Sequence, residues 1–138
     1  MSTVYLETSA VLTWLLGEPH SKATIMRINR ADNVVTSVLT LLETERALIR
    51  AEKQKLLTAA DSQGLKGMLA KARGGWALME VTEEVRQRAG RAFPIEPLRT
   101  LDAIHISTAL LFTGAFDDLQ MLSYDQRIMK NAQALGMV

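Results

Sequence analysis

Apolar positions along the chain alternate between two periods. Thr3-Val4-Tyr5-Leu6 is a short β-prone run that stops at Glu7-Thr8-Ser9. The spacing then turns helical: Ala10, Val11, Trp14 and Leu15 share a face, Thr8 or Ser9 is placed to cap it, and Gly17, Glu18 and Pro19 end it. A second helix is predicted over Ser21 to Arg30 with Ala23, Ile25, Met26 and Ile28 as its apolar positions, closed by Asp32-Asn33. Val34-Val35-Thr36-Ser37 reads as a second strand, followed by a long helix from Val38 to about Lys53.

The second half repeats the alternation. Residues 58–73 read as helix, weakened by Gly64 and Gly67 and broken at Gly74-Gly75. Residues 76–81 give a third strand, and Thr82 with Glu83 and Glu84 opens another helix, since acidic groups suit a helix N-terminus. Pro94 and Pro97 mark a loop. A strongly apolar helix follows from Leu101 to about Phe112, then a fourth strand from Leu119 to Tyr124 and a last helix from Gln126 to Leu135, capped at Gly136. Strands alternating with helices predict an α/β fold: one domain over residues 1–138, with a central, mostly parallel sheet of four to five short strands flanked by helices.

Composition narrows this picture. At 138 residues, 48% of them apolar, one domain with a proper core is expected. No apolar run approaches the ~20 residues of a membrane span, and no signal peptide is visible, so a cytoplasmic protein without membrane contact is expected. The absence of cysteine excludes disulfides, thiolate catalysis and zinc-thiolate sites. Net charge is +1, but its distribution is uneven. Residues 1–45 hold three basic and five acidic groups, as do residues 92–138, whereas residues 46–91 hold ten basic and five acidic groups.

The carboxylates fall in telling places. Ligands of open parallel sheets bind beyond the carboxyl ends of the strands. Glu7 directly follows the first strand and Asp125 the fourth. Capping of the next helix is the plain alternative for Asp125. It serves Glu7 less well, because Glu is a poor cap and Thr8 or Ser9 stands ready. Glu43 and Asp102 lie inside apolar helical segments. For Glu43 the alternative is an ion-pair stripe with Arg46 and Arg50, and for Asp102 complementarity to a helix dipole. Oxygen donors without cysteine suit a hard Mg²⁺ or Mn²⁺ ion, which activates water and offsets phosphoryl charge. A glycosidase-type carboxylate pair fits less well, because only 5% of residues are aromatic and a sugar platform is lacking.

Four stretches carry a resemblance. They are Val4 to Ala10; Thr36 to Glu43 with Arg46-Ala47-Leu48; Leu98 to Leu110; and Leu122 to Arg127 with Ala132 and Gly136. Together they resemble the PIN-domain ribonucleases, specifically the toxins of VapBC-type toxin–antitoxin pairs. The resemblance implies a PIN-like domain whose catalytic and metal-binding acids are Glu7, Glu43, Asp102 and Asp125, with Ser9 in support. They would hold one or two Mg²⁺ or Mn²⁺ ions that drive hydrolysis of an RNA phosphodiester, leaving a 5′-phosphate. It also implies a homodimer and a cognate antitoxin whose tail covers the active site. The family's first acid is usually Asp, and Glu7 pushes its carboxylate roughly 1.5 Å further. That departure keeps a second reading open, a weak or inactive module that binds antitoxin or RNA without cutting.

The remaining residues add less. His105 reads as a packed or interface histidine, and His20 has no evident link to it, which disfavours metal-free acid/base cleavage by two histidines. Asp117 and Asp118 belong to a solvated loop at the amino end of the fourth strand, and Trp14 and Trp76 to the core or a dimer interface. Arg46 and Arg50, along the helix from Glu43, are candidates for contact with RNA phosphates, and Lys53, Lys55, Lys66, Lys71 and Arg73 for non-specific attraction. No aromatic RNA-binding signature is present.

Overall fold

The structure, a computed structural model, describes residues 2–138; Met1, the first residue of the expected domain, lies outside them. In chain order the elements are β1 (Thr3–Leu6), α1 (Thr8–Leu16), α2 (Ser21–Arg30), β2 (Asn33–Ser37), α3 (Val38–Lys53), α4 (Ala59–Arg73), β3 (Ala77–Met79), α5 (Glu83–Ala89), α6 (Thr100–Phe112), β4 (Leu119–Leu122) and α7 (Gln126–Ala134). The four strands form one parallel sheet in the order β3-β2-β1-β4. The α/β architecture expected from the pattern is present.

β1 sits inside the sheet, and all four of its residues are buried. Its side chains alternate between two cores, as the two-residue period of a strand requires. Tyr5 joins Val35 and Met121 against Ala103, Ile106 and Ala109 of α6 and Ile128 and Ala132 of α7. Val4 and Leu6 face the opposite way, onto Ala10, Val11 and Leu15 of α1, Leu41 of α3 and Leu69 of α4. Trp14 and Trp76 pack at the margin of this second core, their ring centroids 6.3 Å apart. A parallel strand covered on both faces reads as a continuous apolar run, which is why Val4-Tyr5-Leu6 was legible.

Several boundaries differ from the sequence expectation. β3 and β4 are shorter than the apolar runs that announced them, because pairing ends at Met79 and Leu122. Neither Thr8 nor Ser9 caps α1; Glu7 takes the cap position with its backbone carbonyl only, and both hydroxyls are used elsewhere. Gly17 ends α1 as expected, in the left-handed region at φ 63°, which glycine adopts without strain. α2 buries little of its apolar stripe: Thr24 is its buried residue and Ile28 packs half-buried against the second core, while Ile25 and Met26 are exposed. α4 runs unbroken through Gly64 and Gly67, started by a capping box between Thr58 and Asp61. Asp118 is half-buried rather than solvated, with one carboxylate oxygen that has no partner. No helix among the described residues is long and apolar enough to cross a membrane.

Candidate active site

Because all four strands run parallel, their carboxyl ends share one edge. Glu7 leaves β1 there, and its backbone N–H still reaches Leu122 O at 3.1 Å, extending the pairing with β4 by one residue. The Glu7 side chain is 7% exposed. One of its oxygens accepts hydrogen bonds from Ser9 Oγ and Ser123 Oγ, each at 2.5 Å. Ser9 Oγ in turn accepts from the Tyr124 N–H at 2.8 Å, and Ser123 Oγ from the Asp125 N–H at 3.0 Å. The acid after β1 and the turn after β4 are therefore one hydrogen-bonded unit. Among the described residues, no cation contacts the Glu7 carboxylate.

Glu43 projects from the second turn of α3 into a different set of partners. Thr8 Oγ1 donates to it at 2.6 Å, and His105 Nε2 lies 2.6 Å from the same oxygen. His105, 1% exposed, has its Nδ1 at 2.8 Å from the Tyr5 hydroxyl. Burial, with the charge of Glu7 adding to it, pushes the Tyr5 hydroxyl far up, so it stays protonated. His105 is thus held at both ring nitrogens, by the Tyr5 hydroxyl at Nδ1 and by the Glu43 carboxylate at Nε2. Burial raises the Glu43 carboxyl, but the hydrogen bonds from His105 and Thr8, with the charges of His105 and Arg99, outweigh it and hold Glu43 below its ordinary value. His105 is packed, as expected, and it also positions an acid.

Asp102 lies in the first turn of α6, 5% exposed. Its oxygens meet Arg99, Oδ2 at 3.1 Å from Nε and Oδ1 at 3.5 Å from Nη2. The same Nη2 lies 3.4 Å from Asp125 Oδ2. The other oxygen of Asp125 accepts from the Arg127 and Ile128 N–H groups at 2.9 and 3.2 Å. Asp125 thus does both things open to it, capping α7 with one oxygen and facing Arg99 with the other. The loop that precedes Arg99 is tied to α7, where Asn131 pairs with both the N–H and the C=O of Ile95 at 3.0 Å.

The structure therefore sets the four predicted acids along one edge, linked through Ser123, Thr8 and Arg99 rather than by direct convergence. Among the described residues no three acidic or histidine side chains close into a ready ion cage, and Arg99 stands between Asp102 and Asp125. The donor set still suits a hard divalent cation. It offers carboxylate and hydroxyl oxygens in a chain without cysteine, and a buried anion at Glu7 that only hydroxyls balance. Arg46 and Arg50 are exposed and line a groove of about 420 Å³ with Glu43, Leu39, Leu42 and Leu101. Leu42, next to Glu43 on α3, is 56% exposed in that groove. Sequence reasoning passed over Thr8, Arg99 and Ser123. The spacing of Arg99 three residues before Asp102 was a usable signal, since i and i+3 meet on a helix.

A family model described as the PIN domain matches residues 4–133. Among curated proteins, ribonuclease VapC46 of Mycobacterium tuberculosis is 32% identical over 137 residues, covering 99% of this chain and 95% of the relative. Ribonuclease VapC35 of the same species is 32% identical over 136 residues, covering 97% and 93%. Among solved structures, Mycobacterium tuberculosis VapC20, described as a sarcin-ricin loop cleaving toxin, aligns with a TM-score of 0.67 at 15% identity over 98% of this chain and 96% of the other. VapBC2 of Rickettsia felis, bound to a DNA fragment from its promoter, aligns with a TM-score of 0.57 at 9% identity, covering 89% and 99%. At these low identities the two structures speak for the fold.

Proposed function

Because the chain belongs to the PIN-domain family and is VapC-like, we propose that residues 1–138 form one such domain acting as a Mg²⁺- or Mn²⁺-dependent endoribonuclease, the toxin of a toxin–antitoxin pair. The observation that carries the reading is Glu7, a buried carboxylate at the carboxyl edge of a parallel sheet, ordered by two hydroxyls and paired with no cation. An unpaired buried charge is costly, so a cation bound there in the working protein offsets the cost. Glu7, Glu43, Asp102 and Asp125 would hold the ion. When bound, it supplies an activated water and neutralises charge on the phosphodiester.

The chain's own residues have separable tasks. Ser9 and Ser123 orient Glu7 and tie it to the Asp125 turn. Tyr5 and His105 fix the direction of the Glu43 carboxylate. Arg99, its side chain 65% exposed, is free to leave the carboxylates for a substrate phosphate. Arg46 and Arg50 bind flanking phosphates along the groove beside Glu43. A homodimer, a cognate antitoxin partner and a cytoplasmic setting complete the proposal. They rest on the VapC likeness, the VapBC2 neighbour supporting the antitoxin.

The alternative of a binding module without cleavage drew its force from Glu7 in place of Asp. The longer side chain is seated on two hydroxyls in an ordered position, which favours the active reading. The test is direct. The purified chain cleaves RNA with Mg²⁺ or Mn²⁺, a chelator stops it, and Asp102→Asn abolishes it. Cleavage that persists in chelator would overturn the metal assignment.

A further inference from the structure

Of the chain's two Trp, two Tyr and three Phe, Tyr124 alone is exposed, at 38%. Its place is notable. It lies between Ser123, which holds Glu7, and Asp125, which faces Arg99, and its own N–H donates to Ser9 Oγ. The backbone of Tyr124 thus belongs to the candidate active site while its ring leaves that site toward α2.

The ring is fixed at its far end. Thr24, fully buried, donates from Oγ1 to His20 O at 2.9 Å and accepts from the Tyr124 hydroxyl at 2.6 Å. His20 then stacks on Tyr124, with ring centroids 5.4 Å apart and planes 13° from parallel. His20 is itself exposed and sits at φ 76°, in the left-handed region that a residue with a Cβ rarely adopts. No core contact calls for the imidazole there, and strained exposed backbone of this kind concentrates at ligand-binding positions.

Two parallel rings, open to solvent, one of them the chain neighbour of Asp125 in the candidate site, match the chemistry of an unpaired nucleobase. Bases splayed out of a single strand stack on Tyr and His rings without regard to sequence. We propose that His20 and Tyr124 form a stacking subsite for the base of an unpaired nucleotide adjacent to the scissile phosphate. This rests on the ribonuclease reading and adds to it that the RNA enters single-stranded over the start of α2. The sequence offers no hint of the pair, since His20 and Tyr124 are 104 positions apart and flanked by unrelated motifs.

The test compares a single-stranded oligoribonucleotide with an abasic ribose-phosphate oligomer of equal length, both bound in Mg²⁺ by the Asp102→Asn protein. Adding His20→Ala weakens the intact oligomer about five-fold or more, the low end for one stacked base, and leaves the abasic one unchanged. His20→Trp restores the affinity, and melting curves show that the fold persists in each variant. Equal affinity with and without the imidazole, an equal loss on the abasic strand, or no binding of either oligomer would overturn the subsite. The ribonuclease reading is judged separately, on the wild-type chain. Cleavage together with an indifferent His20→Ala removes the subsite alone. Absent cleavage together with a base-dependent loss keeps the subsite and removes the nuclease.

Discussion

At the scale of single residues, the acids of this site are held by partners that differ in kind. Glu7 has hydroxyls, Glu43 a histidine and a threonine, and Asp102 and Asp125 share an arginine. Tyr5→Phe tests one of these supports. It leaves His105 Nδ1 without its hydroxyl partner in a fully buried place, a loss of ~1–3 kcal/mol in denaturant unfolding. Arg99→Met tests another. With the competing guanidinium gone, Mn²⁺ binding measured by calorimetry becomes a few-fold tighter, while RNA affinity falls. All four candidate acids stand out in the sequence, because a carboxylate at a strand end or inside an apolar helix is out of pattern. Their partners were not, because Tyr5 and His105 lie 100 positions apart and nothing in either neighbourhood announces the contact.

At the scale of elements, the apolar pattern located every helix and strand but misjudged where pairing stops and which faces are buried. Pairing depends on the neighbour strand, so β4 ends at Leu122 although the run continues to Tyr124. That early end frees Ser123 and Tyr124 for the site. The stripe on α2 held only in part: the helix is anchored by Ile28 on the second core and by Thr24 on Tyr124, not by Ile25 and Met26. α4 supplies a clean prediction. Hydrogen bonds from Thr58, its backbone N–H first and its hydroxyl second, hold the Asp61 carboxyl below its ordinary value. A carboxyl depressed in the folded state adds stability above its unfolded value and loses it as pH falls through the folded one. Thr58→Ala costs ~1 kcal/mol through the lost cap to the Asp61 N–H, whereas Asp61→Asn lowers stability at neutral pH and matches the wild-type chain at acidic pH in urea unfolding.

At the scale of the whole molecule, a net charge of +1 conceals a division of labour. The acidic ends of the chain bring Glu7, Glu43, Asp102 and Asp125 to one sheet edge. The basic middle begins at Arg46 and Arg50, which line the groove beside Glu43. Acidic side chains beside basic ones suit a cation held against a polyanion. The parallel topology does the assembling, since it alone puts the ends of β1 and β4 side by side. The fold was therefore readable from strand–helix alternation, whereas the seating of Glu7 depended on a serine 116 positions away. On the proposed function, a divalent cation balances the buried Glu7 carboxylate. Calorimetric titration with Mn²⁺ decides it: wild-type protein binds the ion, and Glu7→Gln, folded by its melting curve, binds it at least tenfold more weakly. Equal affinity in the two proteins would contradict the account.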